Sequence, residues 1–424
     1  MNNVWDERIG HLRRSWLGDL PEMDAVAQAV ADNPASAENL LSEFAARHAA
    51  DIAEREVAAL TATGPSNHWE MVLKTANGAS EQWMEQYGLP ICQEERRMAQ
   101  FLYRYPPQRI KEIGNHIVEA LLHGFISQSR DRRNRRMARV NYCVGQEALA
   151  QAVVAALADR GLQAVIQQPQ CLRFSGSYAM AHSADKAACL SAEAYDALKA
   201  AYESAFQNYA SELLDTCGMI GIGQFGEAAA IPDAQEQGYL PEEQRRKRLL
   251  QLENAKREME ARYLAPSDLS FCKVAFPNPL VGAEFEEIFD AFYRLNTMDS
   301  ERYERIQQVL IDALDCCQAV EMIGAPGNST RLTVALAPLK QPETQTNFLN
   351  CGGDLNIPHG ELFTTPKLYG TNGILHVHEI YLKGVPFRDL VLEFQNGMIT
   401  DYGCGNCGST EAGRAYVKEH LLQG

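Results

Sequence analysis

The stretch VNYCVGQEALAQAVVAALADRGLQAVI, from Val140 to Ile166, decides the fold. It opens on a β-prone run, Val140 to Cys143, enters a helical pattern from Gln146 to Leu157, turns at Gly161 and closes on Ala164-Val165-Ile166. Short apolar runs flanking a helix-length segment, with a glycine as punctuation, make a strand–helix–strand unit. Working outward, a helix over Ile110 to Ile126 precedes it, and a helical segment from Ala192 to Leu214 follows and runs into the strand Met219 to Ile222. Strands alternating with helices of this length argue a parallel or mixed sheet.

The texture differs on either side. Before residue 96 the pattern is helical: Met23, Val26, Ala27 and Val30, then Leu40, Leu41, Phe44 and Ala45 after Ser36, recur at helix spacing. Pro241 to Arg262 reads as a strongly charged helix and Phe271 to Phe276 as an apolar run, with amphipathic helices near Glu284 to Leu295 and Tyr303 to Leu314. After about 320 come the strands Val320 to Ile323, Leu332 to Leu336, Leu375 to Leu382 and Leu390 to Phe394. Turn signals separate them, and Asn396-Gly397 is a hairpin signal. The expected class is α/β, in three parts: a helical N-terminal region over 1–95, an α/β domain over 96–320 and an antiparallel β-rich domain over 321–424. A last helix is expected over Thr410 to Leu422.

The chain has 424 residues, 46% hydrophobic, with a formal net charge of −16. That is ample for two or three cored domains and excludes fibrous and disulfide-knot classes. So acidic a surface repels nucleic acid, and none is expected as a partner. The charged first ten residues carry no secretory signal and no stretch reaches membrane-span length, so the expected location is the cytoplasm with no membrane partner. The 11 cysteines, odd in number and scattered, read as reduced thiols.

Several motifs have two readings. Gly221-Ile-Gly223-Gln-Phe-Gly226 fits a dinucleotide fingerprint, but no helix opens on it, which favours a strand-to-loop turn. The arginines Arg130, Arg132, Arg133, Arg135, Arg136 and Arg139 could neutralise phosphates; without interleaved aromatics they read as a helix end or a salt-bridge surface. Cys404-Gly-Asn-Cys407 lacks the second ligand pair of a zinc site, and free thiols are the default. His376 and His378 share a strand face, and with Glu361 they form a conceivable three-ligand metal constellation; the bland reading is packing or hydrogen bonding. In Asn356-Ile-Pro358-His-Gly360-Glu361-Leu-Phe-Thr-Thr-Pro366, a proline and a glycine frame one carboxylate. Such a carboxylate suits a divalent cation, and the alternative is a salt-bridged Glu at a loop-to-strand junction.

That segment, followed by Gly370-Thr-Asn-Gly373 and Glu393-Phe-x-Asn-Gly397, resembles the thermophilic aminopeptidase T family of two-metal metallo-aminopeptidases. Gly324-Ala-Pro-Gly327 through Thr330-Arg331-Leu332 resembles the family's Gly-rich turn, with Arg331 where an acid is usual. The resemblance implies peptide substrates, a homodimer, a divalent metal (zinc, cobalt or manganese) and Glu361 as a metal ligand. It also implies a second Glu, two His, an Asp and a catalytic Tyr beyond Tyr402, where this chain offers His420 but no His-x-Asp, so those roles fall on no position here. The leading expectation is therefore metal-assisted hydrolysis of N-terminal peptide bonds by a chain that is truncated and inactive alone. The alternative is a non-catalytic binding or assembly protein on a degenerate peptidase scaffold, and a nucleotide-dependent enzyme built on Gly221 to Gly226 is a third reading.

Overall fold

The computed structural model describes residues 4–18, 20–61, 68–89, 91–127, 129–132, 135–172, 185–226, 241–351, 356–357, 361–382 and 385–422. By its internal packing the chain falls into two units, Met1–Met298 with Gly353–Pro358, and Asp299–Gly352 with His359–Gly424.

In the first unit, β1 (Met137–Asn141), β2 (Gln163–Ile166), β3 (Thr216–Phe225), β4 (Ser270–Pro277) and the two-residue β8 (Asn356–Ile357) form one sheet in the order β2-β1-β3-β4-β8. Every pairing is parallel. The stretch that decides the fold supplies β1, the crossover helix Glu147–Asp159 and β2. Gly161, at φ +69°, makes the turn between helix and strand in a conformation that side-chain-bearing residues rarely adopt. The helix Pro107–Ser127 opens on a proline, whose missing N–H has no intrahelical partner to lose at that position. It buries Ile113, Ile117 and Leu121 in one core with Leu149, Val153 and Leu157 of the crossover helix and with Val140, Ile220, Cys272 and Val274 of the sheet. A second core joins the N-terminal helices, through Leu12, Trp16, Leu41, Phe44 and Ile52, to Leu198 and Tyr202 of helix Ala192–Asn208 and Leu252 and Met259 of helix Glu243–Ala261.

The second unit is antiparallel. Its sheet is ordered β12-β11-β10-β6-β5, from β5 (Ala319–Ile323), β6 (Arg331–Ala335), β10 (Lys367–Leu382), β11 (Val385–Gln395) and β12 (Met398–Gly403). Asn396 and Gly397, at φ +50° and +76°, form the two-residue turn between β11 and β12, the positive-φ pair whose twist matches the strands. Phe387, Leu390 and Leu392 pack on Val417 of the helix Thr410–Val417, whose cap Ser409 accepts from Ala412 N. Two short strands, β7 (Phe348–Cys351) and β9 (Glu361–Thr364), pair separately, where the sequence pattern shows no strand. Four residues of mixed character carry little alternation. Phe348, packed with Ile311 and Leu336, holds this ribbon in place.

Candidate functional site

The chemistry-bearing residues of the second unit meet across β10 and β11. Adjacent pairing runs from Gly373↔Phe394 to Leu382↔Val385, and the rung that would join His378 to Asp389 is missing. There Asp389 turns to φ +43°, a left-handed conformation that Asp tolerates better than most residues. Its carboxylate meets both histidines: Oδ1 lies 2.8 Å from His378 Nδ1 and 3.4 Å from His376 Nε2. The two imidazoles stand edge to face, 4.9 Å between centroids.

The connection between β5 and β6 fixes His376. Thr330 Oγ1 accepts from His376 N at 2.9 Å and donates to His376 O at 3.0 Å, and Asn328 Nδ2 donates to the same carbonyl. Ser329 N donates to His376 Nδ1 at 3.0 Å. With Nδ1 as acceptor, the neutral ring carries its proton on Nε2, directed at Asp389. The His376 side chain is only 11% exposed, against 65% for His378 and 60% for Asp389. The hydrogen bonds from His378, then from His376, hold the Asp389 carboxyl below its ordinary range.

Among the described residues these three are the one group of His, Cys, Asp and Glu whose ligand atoms converge within 4.8 Å. The donor set does not fit a resident divalent ion. A ligating histidine turns its second ring nitrogen into a donor toward a carboxylate or carbonyl. His376 does the reverse, because its second nitrogen accepts from a backbone N–H and the nitrogen facing the cluster holds the proton. Only His378 and Asp389 are left, both exposed, which is short of a closed zinc or manganese shell.

The remaining motif residues are placed as follows. Glu361 opens β9 on the surface, opposite Cys351, and its backbone carbonyl accepts from Gln307 Nε2; it is not in the histidine cluster. Pro358, His359 and Gly360 lie outside the described residues. Arg331, at the start of β6, faces Glu321 at 3.7 Å. Gly221 and Gly223 are interior to β3, and Gly226 follows it; the next described helix begins at Glu243. Arg135 is buried against Asp268, Arg136 faces Asp215 and Arg139 pairs with Glu260, all within the first unit. Cys404 and Cys407 are free thiols.

One ionisable group carries no role in the sequence reading. Glu147, the first residue of the crossover helix, is wholly buried. Its Oε1 accepts from Tyr87 OH at 3.1 Å and from Gly145 N at 3.2 Å, Tyr87 OH lies 2.6 Å from Tyr142 OH, and Oε2 has no hydrogen-bond partner among the described residues. Burial pushes its pKa up to about 8, against the hydrogen bonds that favour the charged form. The signal was a carboxylate heading an otherwise apolar run, Glu147-Ala-Leu-Ala.

No family profile matches the chain, and no curated protein matches it in sequence. Among solved structures, wild-type AmpT from Thermus thermophilus is similar at 14% identity and a TM-score of 0.47, over 75% of each chain. A likeness this distant bears on neither the site nor its chemistry. No helix among the described residues is long and apolar enough to cross a membrane.

Proposed function

We propose that this chain is a non-catalytic binding or assembly protein on a peptidase-like scaffold. The scaffold part of the reading rests on the Asn356 to Pro366 motif and the turns that follow it. What supports the non-catalytic part is a single observation: His376 accepts from Ser329 N and therefore offers a proton, not a lone pair, to the one cluster among the described residues where metal-ligand types converge. Two-metal hydrolysis needs paired ions that polarise a carbonyl and acidify a shared water. Metal-assisted hydrolysis of N-terminal peptide bonds, with Glu361 as a ligand, is the second reading, favoured by the framed carboxylate of that same motif.

The test is direct. Purified chain, dialysed against zinc, cobalt or manganese, should retain no stoichiometric ion and hydrolyse a leucine chromogenic amide no faster than a protein-free blank. Metal-dependent turnover that disappears in Glu361→Ala would reinstate the peptidase.

A further inference from the structure

A cavity of about 1000 Å³ in the first unit lies beyond the carboxyl end of β2, where Gln167 and Gln168 follow the strand. The loops at the carboxyl ends of parallel strands are where such sheets commonly hold ligands. The walls come from Arg13 to Gly18, from the end of helix Ala49–Ala58, from Tyr202 and Phe206, and from Glu253 to Glu260 on helix Glu243–Ala261.

The charges of this cavity are unevenly satisfied. Among the described residues, every carboxylate lining the cavity already has a cation: Glu56 lies 2.7 Å from Lys256, Glu253 3.8 Å from the same ammonium, and Glu260 3.0 Å from Arg139. Glu56 is committed further, since it accepts from Tyr202 OH at 2.5 Å and faces Lys186 at 3.7 Å. Burial alone would raise its pKa, but Lys186, Lys256 and the Tyr202 hydroxyl hold it below the ordinary value, so it stays ionised and matched. Among the cations, Arg13 pairs with Asp24 at 2.6 Å, and Arg55 donates to the Leu17 carbonyl at 2.8 Å. Arg14 and Arg257 are exposed at the cavity and have no partner among the described residues. Two guanidiniums left over in a chain of net charge −16 concentrate positive potential in one concavity. The same cavity is lined by half-buried Trp69, whose ring centroid lies 6.2 Å from that of buried Tyr87, and by buried Tyr202.

We propose that this cavity binds a small anion carrying a planar ring, of the nucleoside-monophosphate class, with its anionic group at Arg14 and Arg257 and its ring on the aromatic lining. Guanidinium forks match phosphate oxygens, and an aromatic face accepts any flat base. The inference concerns the first unit and stands independently of the reading of the histidine cluster.

The experiment is calorimetric titration of the full chain at low salt with AMP, adenosine and inorganic phosphate separately. AMP should bind saturably at one site, with adenosine and phosphate each weaker by about tenfold or more. The double substitution Arg14→Ala, Arg257→Ala should weaken AMP by about tenfold or more, as expected from losing charge-assisted hydrogen bonds, with the melting transition retained. If that variant does not fold, Arg257→Gln alone, on an exposed helix face, gives the same readout by a smaller loss. No saturable AMP binding at millimolar concentration, adenosine binding as tightly as AMP, or AMP binding undiminished by the arginine substitutions would each overturn the proposal.

Discussion

Glu147 in the first unit and Asp389 in the second are bonded alike: in each, a single carboxyl oxygen takes two contacts, Tyr87 and Gly145 in one case, His378 and His376 in the other. Their acidities move in opposite directions, up to about 8 for Glu147 and downward for Asp389. The difference is water. Asp389 is mostly exposed and keeps its hydration while gaining two donors, whereas Glu147 is wholly buried and its Oε2 has no partner among the described residues. For Glu147, hydrogen bonds from its own backbone N–H, from Gly145 and from Tyr87 do not outweigh the desolvation of a buried charge.

The sharpest way to break this comparison is to remove the ionisable group at the buried site. An acid whose folded-state pKa is raised holds a proton in the native state that the unfolded chain has released. Between the ordinary value of 4.5 and about 8 the native state therefore binds more protons, and stability falls as pH rises through that window, then levels off. Integrated over the window, the loss is on the order of a few kcal/mol. Glu147→Gln stays neutral in both states and should lose that slope, so its urea midpoint should overtake that of the parent protein near pH 8 and above. Parallel pH profiles for the two proteins would show that Glu147 is not the buried proton carrier.

A smaller effect is expected at the clamp on His376. The Thr330 hydroxyl extends the β6–β10 ladder past Arg331, the last β6 residue paired with β10, by bonding both backbone groups of His376. Thr330→Val keeps the shape and removes both bonds, at an expected cost of about 1–2 kcal/mol. Thr330→Ser should recover most of it. Equal destabilisation by Val and Ser would mean that the methyl group, not the hydroxyl, holds the turn.

What the sequence reveals follows from the range of each interaction. The crossover at 140–166 and the Asn396-Gly397 turn are written in local periodicity and turn chemistry, and both form as read. The pairing of His376 with His378 is likewise local, since alternate strand residues share a face. Asp389 as their partner is not local: it depends on Leu382 pairing with Val385, the register that brings position 389 opposite 378. The tautomer of His376 depends on still more distant chain, the Ser329 N–H, so the strand pattern alone leaves ligation and hydrogen bonding both open for the two histidines. Glu147 escapes a helix-period reading because periodicity marks which face is buried and says nothing about the solvation of the residue that begins the helix.

The least effect belongs to Asp389, and it tests the exposed half of the comparison. A carboxyl held below its ordinary value by His378 and His376 contributes stability that is present above its unfolded pKa and is lost as pH falls through the lowered one. Asn at this position also tolerates φ +43° and can still accept a hydrogen bond, so Asp389→Asn removes the charge without forcing the backbone. The parent protein should melt slightly above Asp389→Asn at pH 6, and the gap should close below about pH 3, where the carboxyl is protonated in both states. Because water and salt screen an exposed ion pair, the same gap should also shrink in 1 M sodium chloride. A gap that persists unchanged in acid would place its origin in backbone geometry at the missing β10–β11 rung, and the histidine–carboxylate contact would then contribute nothing measurable.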